Sequence, residues 1–395
     1  MPIDSLTLQR DARLAGAGDV QRLAAAWVTL FVIGTDLFVP SPLLPAISAE
    51  FGVDIAACGW VVSAFSLAYM VGAPLMGHIA DRWDRRRMVL AGLCVFAGAN
   101  ALSALAGSFA ALIAVRVVAG LAACAVTPSI YAMVGSLAPP GRRATWLSVA
   151  VSGLLLALAA GTPLATLGAA GYGWRVVFAA LAVASLAVAV PNRLVWPAVR
   201  EPVPAATRGE ARLLAARLVA TVMWATALYG AYTYLGAGLV AAGADARTVA
   251  QVVVCYGFGA LAGTFLGGRL ADRLGSRAAI TLSLGGLAAA LSGLALLVGR
   301  AALPPGLAGP AFGFVSILAQ IFFPAQQASL ARDFPERRAA ALAWNNSALF
   351  LGISLGAALG GVILDRAGYG AVLGAGAAIA LAGCALVPKL FAKSA

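Results

Sequence analysis

Apolar runs of about 20 residues recur along the whole chain, and a run of that length suits a helix crossing a hydrocarbon core about 30 Å thick. Hydrophobic residues make up 62% of the 395 positions and charged residues only 11%. An ordinary soluble domain carries about 25% charged residues. The ten-residue alternating strands of a membrane β-barrel are absent. The sequence therefore predicts an all-α polytopic membrane protein. Its twelve transmembrane helices are expected at 24–46, 57–79, 88–107, 109–134, 144–168, 174–194, 213–240, 247–269, 278–299, 302–330, 339–364 and 370–391. The third and fourth spans nearly touch, so a very short loop joins them.

Charge sets the orientation. With an even number of spans, about 22 of the 27 Lys and Arg residues fall in the termini and alternate loops, the positive-inside pattern. Arg175, Arg247, Arg300 and Arg366 fall near the other face, and Arg116 lies within a span. Both termini are thus expected in the cytoplasm of a bacterial-type inner (cytoplasmic) membrane. The net charge of +12 is read as topology, not as nucleic-acid binding. The polar residues 1–22 are expected as a cytoplasmic tail. They lack the basic-plus-apolar pattern of a cleaved signal peptide, so the first span is expected to be an uncleaved anchor. Cys58, Cys94, Cys124, Cys255 and Cys384 show no disulfide or metal-ligand spacing and read as small packing residues.

The chain divides into two similar halves. Residues 23–194 and 213–391 form two six-helix bundles, joined by a cytoplasmic linker at 195–212 and followed by a short tail at 392–395. GHIADRWDRRR (77–87) resembles GRLADRLGSR (268–277), PGRRA (140–144) resembles PERRA (335–339), and AGYG occurs at 170–173 and 367–370. The offsets of 191, 195 and 197 drift slowly, as a duplicated unit with small indels would. Parallel six-span halves around a midplane site are a transporter architecture.

The loop after the second span carries a family resemblance. It reads Gly77-His-Ile-Ala-Asp81-Arg82-Trp-Asp84-Arg85-Arg86, with a second copy at Gly268, Asp272, Arg273, Gly275 and Arg277. This resembles the loop signature G-x-x-x-D-[RK]-x-G-[RK]-[RK] of the major facilitator superfamily, with Asp84 where the family usually has Gly. The resemblance implies two pseudo-symmetric six-helix bundles. It also implies a loop that latches the halves, with a gating role on Asp81 and Arg82. Physically, Asp81 is placed to cap a neighbouring helix N-terminus, and Arg82, Arg85 and Arg86 are expected to stay in water. A merely topogenic basic loop is the alternative. Arg116-Val-Val-Ala-Gly120 resembles the R-x-x-x-G pattern of proton-coupled members. Gly153, Gly161 and Pro163 resemble the glycine-proline motif of drug:proton antiporters, loosened here to Gly161-Thr-Pro163 and similar also to the sugar-efflux branch. Close packing of two helices is the plain alternative for these small residues. Gly352, Gly356 and Gly360 give the eleventh span a similar smooth face.

Asp36 is the one acid deep inside a predicted span, and Arg116 is the one deep cation. At 1.5 Å per residue they lie roughly 15 Å and 11 Å from the outer ends of their spans. Lone opposite charges in hydrocarbon are expected to face a shared cavity or each other. Burial favours the neutral acid and a nearby cation favours the carboxylate. A cavity opening alternately to each side changes both effects, so Asp36 is a candidate proton carrier with Arg116 as its partner. A static pair that fixes helix packing is the competing reading. The stretch from Asp36 through Pro40, Pro42 and Pro45 also resembles the first span of the drug-efflux branch.

Phe38, Trp224, Tyr229, Tyr232, Gln320, Phe323, Gln326 and Gln327 combine aromatic rings with amides and are the candidate substrate cavity. Aromatics at span ends equally belong to an interfacial belt. Asn345 and Asn346 are expected near the cytoplasmic mouth as a gate or helix start. No nucleotide-binding loop, metal site or catalytic nucleophile–base set is visible, so no enzyme activity and no cofactor are expected, with the proton as the coupling ion. The leading expectation is proton-coupled efflux of drugs or other small amphipathic compounds, lipophilic or cationic, by a monomer in the bilayer. The alternatives are a specific solute carrier on the same fold, exporting a sugar, nucleoside, amino acid or siderophore or importing a nutrient, and, more remotely, a non-transport membrane protein.

Overall fold

The computed structural model describes residues 5–80, 83–139, 142–197, 208–300 and 305–391. Asp81 and Arg82, both expected to gate, lie outside the described residues, as do most of the linker and the last four residues. The described chain is helical throughout. Its elements are α1 (Ser5–Phe38), α2 (Pro40–Phe51), α3 (Ile55–Cys58), α4 (Trp60–Ala80), α5 (Arg85–Ala104), α6 (Phe109–Leu137), α7 (Arg143–Leu156), a π-helical turn (Ala157–Gly161), α8 (Thr162–Tyr172) and α9 (Trp174–Val195) in the first half. The second half contains α10 (Arg208–Thr233), α11 (Leu235–Ala241), α12 (Ala246–Leu274), α13 (Ser276–Arg300), α14 (Pro305–Gln320), α15 (Phe322–Asp333) and α16 (Arg338–Leu390).

Eleven stretches among the described residues are long and apolar enough to cross a membrane. The last of them, Ala340–Leu390, has 51 residues and would reach about 75 Å if straight. It breaks at Gly368 (φ 77°, ψ 177°), a conformation that side-chain-bearing residues avoid. The break makes it two crossings and the total twelve, as the hydropathy predicts. It falls beside Tyr369, within the AGYG repeat.

Prolines shape the other irregular spans. The first span breaks at Val39, just before Pro40, and continues as α2 to Phe51, beyond the expected end at 46. The fifth span carries the π turn just ahead of Pro163, whose missing N–H and ring clash disturb the preceding turn. The tenth breaks at Ile321, three residues before Pro324. At the start of the chain, the expected tail is helical from Ser5 and continuous with the first span.

The two copies of the loop signature turn by different chemistry. Gly275 closes the second copy at φ 84°, ψ 151°. Asp84 takes that place in the first copy with an ordinary φ of −71° and caps α5, accepting from the Arg87 N–H at 2.8 Å. The cap expected of Asp81 lies outside the described residues; the cap that is seen comes from Asp84. Because α5 begins at Arg85, that side chain packs against the bundle and is buried, not in water as expected; Arg86 is half-buried. Asp272 and Arg273 of the second copy are exposed. At the opposite end, α5 and α6 are joined by four residues, with Ser108 capping α6. Asp245 caps α12 by accepting from the Thr248 N–H, and the Thr248 side chain together with that N–H holds its carboxyl below the usual carboxylate range.

Close helix contact at a glycine repeats the duplication in three dimensions. A Cβ at Gly161 would strike Phe31 and Thr35 of the first span. A Cβ at Gly356 would strike Thr226 and Gly230 of the seventh. Each of these residues is 195 positions from its counterpart, the offset that PGRRA and PERRA also show. Lipid tails are as apolar as the side chains, so contact of this kind, not apolar burial alone, draws spans together. By contrast, Gly268 faces open space, and its neighbour Gly267 packs on Ile321. Gly356→Ala should therefore destabilise the protein by about 1–3 kcal/mol through overpacking, and Gly268→Ala by less than about 0.5 kcal/mol. Thermal unfolding in detergent reads both.

Candidate functional site: a buried ion pair and an aromatic seam

Arg116 and Asp36 meet inside the first bundle. One guanidinium nitrogen, Arg116 Nη1, donates to both Asp36 carboxylate oxygens at 2.9 Å. Nη2 donates to the Asp36 carbonyl at 3.3 Å and Nε to the Val61 carbonyl at 3.4 Å. The guanidinium lies over Phe65 at 4.6 Å and near Phe178 at 5.6 Å. Asp36 is 0% and Arg116 1% exposed. Removing two charges from water costs several kcal/mol per ion. The hydrogen bonds and the ring contacts, each of the latter about 0.5–2 kcal/mol, offset that cost.

The R-x-x-x-G spacing explains how the arginine arrives there. Arg116 and Gly120 lie one turn apart on one face of α6, as Val61 and Phe65 do on α4. A Cβ at Gly120 would land on the Phe65 carbonyl. Its absence lets the second and fourth spans approach, which puts Arg116 against Val61 and Phe65. On the first span, Gly34, Phe31 and Thr35 face the fifth span, where Gly153 sits on the Trp27 backbone and Gly161 on Thr35. The motif glycines thus clamp the helix that carries Asp36. The π turn also meets the other half, since Gly257 of α12 packs against Ala159.

Every named contact of the pair comes from the first half. Of the two expected arrangements, the charges face each other. Asn100 of α5 is the next polar group interacting with the Asp36 carboxylate. Its amide nitrogen also donates to the Phe96 carbonyl at 3.1 Å, it is fully buried, and its Oδ1 has no hydrogen-bond partner. Sequence reasoning missed it, although an amide deep in an apolar span is the same kind of signal as Asp36.

The expected cavity aromatics form a continuous seam between the halves. Phe38 stacks on Tyr229 (6.5 Å) and meets Tyr232 edge-on (6.1 Å). Trp224 touches Tyr229 (6.2 Å) and Phe323 (6.1 Å), and stacks on Phe322 (4.9 Å). Tyr256, unforeseen, packs on Tyr232 at 4.9 Å. Gln320 interacts with Tyr229. The remaining amides are placed differently. Gln326 is buried between the seventh and tenth spans, donating to the Arg217 carbonyl at 3.0 Å, and Gln327 is half-buried on α15. Trp224 is anchored by its indole N–H to the Ala319 carbonyl at 2.8 Å. Asn345 is tied to Thr221 at 2.7 Å, a helix-packing bond.

Hydrogen bonds cross between the halves from mid-depth to the end away from the termini. Tyr232 OH donates to Phe38 O (3.2 Å) and Ser41 to Tyr232 O; Tyr234 OH, bonded to Ala357 O of its own half at 2.6 Å, also reaches Ala56 O of the first half at 3.3 Å. Ser63 and Ser354 donate to each other's carbonyls at 3.1 and 3.3 Å. At that same end, Arg175 is more than a topology marker. It pairs with Glu50 at 2.7 Å and donates to the carbonyls of Ala104 and Ala106, tying three helix ends together. Near the other end, Arg217 of α10 is also buried, paired with Asp333 at 2.9 Å. Arg116 is therefore not the sole buried cation within a span.

The family model described as Major Facilitator Superfamily matches residues 26–243 and again 218–395. The chain belongs to the Major Facilitator Superfamily. Its relatives include the MFS-type transporter YceJ of Bacillus subtilis, 30% identical over 90% of this chain and 92% of that one. YdhP of Escherichia coli K12, an inner membrane transport protein, is 30% identical over 91% and 92%. A chloramphenicol resistance protein of Streptomyces lividans is 33% identical over 62% and 65%. Among solved structures, a bacterial homologue of the human lysosomal transporter Spinster, in an inward-facing and occupied conformation, superposes with a TM-score of 0.72. It covers 93% of this chain and 96% of that one at 17% identity. The molecule is thus an MFS transporter, a multi-pass membrane protein.

Breaking a buried pair from one side leaves an uncompensated charge, at about 3–5 kcal/mol. Arg116→Ala should lower the detergent melting temperature markedly. The double variant Asp36→Leu/Arg116→Leu should recover most of that loss, because hydrophobic replacement of a buried pair is often neutral or stabilising. Thermal melts of the three proteins check both expectations.

Proposed function

We propose that this MFS transporter exchanges external protons for small amphipathic molecules moving outward. The supporting observation is the Asp36–Arg116 pair: a carboxylate with no exposure, held by a cation of the fourth span and carried on the first span, which also meets the other half through Phe38 and Ser41. With the pair closed, Asp36 is ionised and neutralised by Arg116. When the end away from the termini opens, a proton from that side neutralises Asp36 and weakens its bonds to Nη1. When the other end opens, the proton leaves and the pair re-forms. The charge pattern supports placing that release in the cytoplasm of a bacterial inner membrane. The aromatic seam offers flat apolar surface to a bulky cargo, and the chloramphenicol resistance for which the Streptomyces relative is named supports a drug-like one.

A second reading, a static strut, is favoured by the enclosure of the pair within one half. One assay separates the two. In proteoliposomes with an imposed pH gradient, the native protein should accumulate an amphipathic probe from a panel of lipophilic cations, neutral drugs, sugars and amino acids. Asp36→Asn should reduce that accumulation at least tenfold while leaving the melting temperature within a few degrees. Normal gradient-driven exchange by Asp36→Asn would sink the proton-carrier assignment and leave the strut.

A further inference from the structure

A group of polar side chains outside the ion pair lies where the two halves begin to separate. Ser63 and Ser354 exchange hydrogen bonds between the second and eleventh spans. Six residues further along α4, about 9 Å towards the terminal side, Tyr69 stacks on Phe350 of the eleventh span at 3.6 Å. Phe65 flanks the same ring at 6.5 Å. The Tyr69 hydroxyl faces Thr127 of α6 and Asn346 of α16, with Tyr131 close by. Ser66, Tyr69 and Thr127 are 0%, 1% and 5% exposed. Their hydroxyl oxygens complete no hydrogen bond of good geometry. Tyr131 and Asn346, closer to the terminal side, are half-buried.

Buried hydroxyls whose hydrogen bonds are not well formed are costly, at up to about 1–3 kcal/mol each, and bulk lipid offers nothing to bind them. Here two of them, Tyr69 and Thr127, meet an amide and an aromatic stack from the other half at mid-depth. The second and fourth spans supply the hydroxyls, and the eleventh supplies Asn346 and Phe350. No charged side chain is among the named members.

We propose that Tyr69, Thr127 and Asn346 form a neutral hydrogen-bonding subsite for the cargo, with the Tyr69–Phe350 stack as its aromatic wall. It takes uncharged aromatic compounds that carry hydroxyl or amide groups. The Tyr69 and Thr127 hydroxyls donate to and accept from the polar end of the cargo, and the Asn346 amide does the same from the other half. A ligand held this way bridges the halves where the Tyr69–Phe350 stack bridges them now. The subsite rests on the transport reading above, but binding at it does not require proton coupling. It also shifts the expected cargo away from lipophilic cations, for which hydroxyls and an amide supply no counter-charge.

Equilibrium binding to the purified full-length protein tests this. Chloramphenicol is the probe with hydroxyl and amide groups, and tetraphenylphosphonium is the cation that lacks them. Tyr69→Phe keeps the ring and the stack, and Thr127→Val keeps the shape, so both variants should fold. Each should weaken chloramphenicol binding at least fivefold and leave tetraphenylphosphonium binding within twofold. Asp36→Asn should bind chloramphenicol normally even where it fails to transport it, which separates this subsite from the proton assignment. The proposal is overturned if chloramphenicol does not bind the native protein. It is also overturned if both variants bind it normally, leaving water as the partner of these hydroxyls, or if both ligands weaken equally.

Discussion

Close approach of helix backbones is the constraint on which the rest of this structure depends. Between spans in lipid there is no apolar driving force of the aqueous kind, so packing rests on contact and on interhelical hydrogen bonds. Gly120 shows the consequence. Because it has no side chain, the fourth span sits on the Phe65 carbonyl, and Arg116 one turn away reaches Val61 O, the Phe65 ring and Asp36. Any side chain at 120 would push the fourth span outward and leave a guanidinium in hydrocarbon without acceptors. The ion pair is thus a product of helix packing before it is an element of mechanism.

The same constraint works twice, though not identically. Gly161 against Phe31 and Thr35 in the first half has its counterpart in Gly356 against Thr226 and Gly230 in the second. The charge does not follow the duplication, since Ala231 stands 195 residues after Asp36. The first half holds a fully enclosed pair, whereas the second half's Arg217–Asp333 pair is partly exposed and its seam face is an aromatic wall of Trp224, Tyr229, Tyr232 and Phe322. The halves meet through backbone carbonyls and serine and tyrosine hydroxyls from mid-depth to the end away from the termini, and none of these bonds involves a charge.

Much of this was legible in the chain, for identifiable reasons. Span positions followed from run length, because an unpaired peptide group in hydrocarbon costs several kcal/mol and forces helices. The Asp36–Arg116 partnership followed from the same economy applied to charge. The errors were local. Arg85 is buried where water was expected, and Gln326 packs between helices. Each depends on where a helix starts or how it is rotated about its axis, and a turn shifted by one residue rotates a side chain by about 100°.

The sequence by itself determined the class, the twelve crossings, the duplication and the identity of the two interior charges, because bilayer thickness and the cost of bare charge act on composition and spacing alone. Only the tertiary structure decided that the pair closes within one half and that Asn100 joins it. It alone placed Arg175 as a clasp and gathered Tyr69, Thr127 and Asn346 at the seam. Those outcomes depend on rotation and distance between helices that are far apart in the chain. Such contacts are set by which small residues face which backbone, and no single span carries that information.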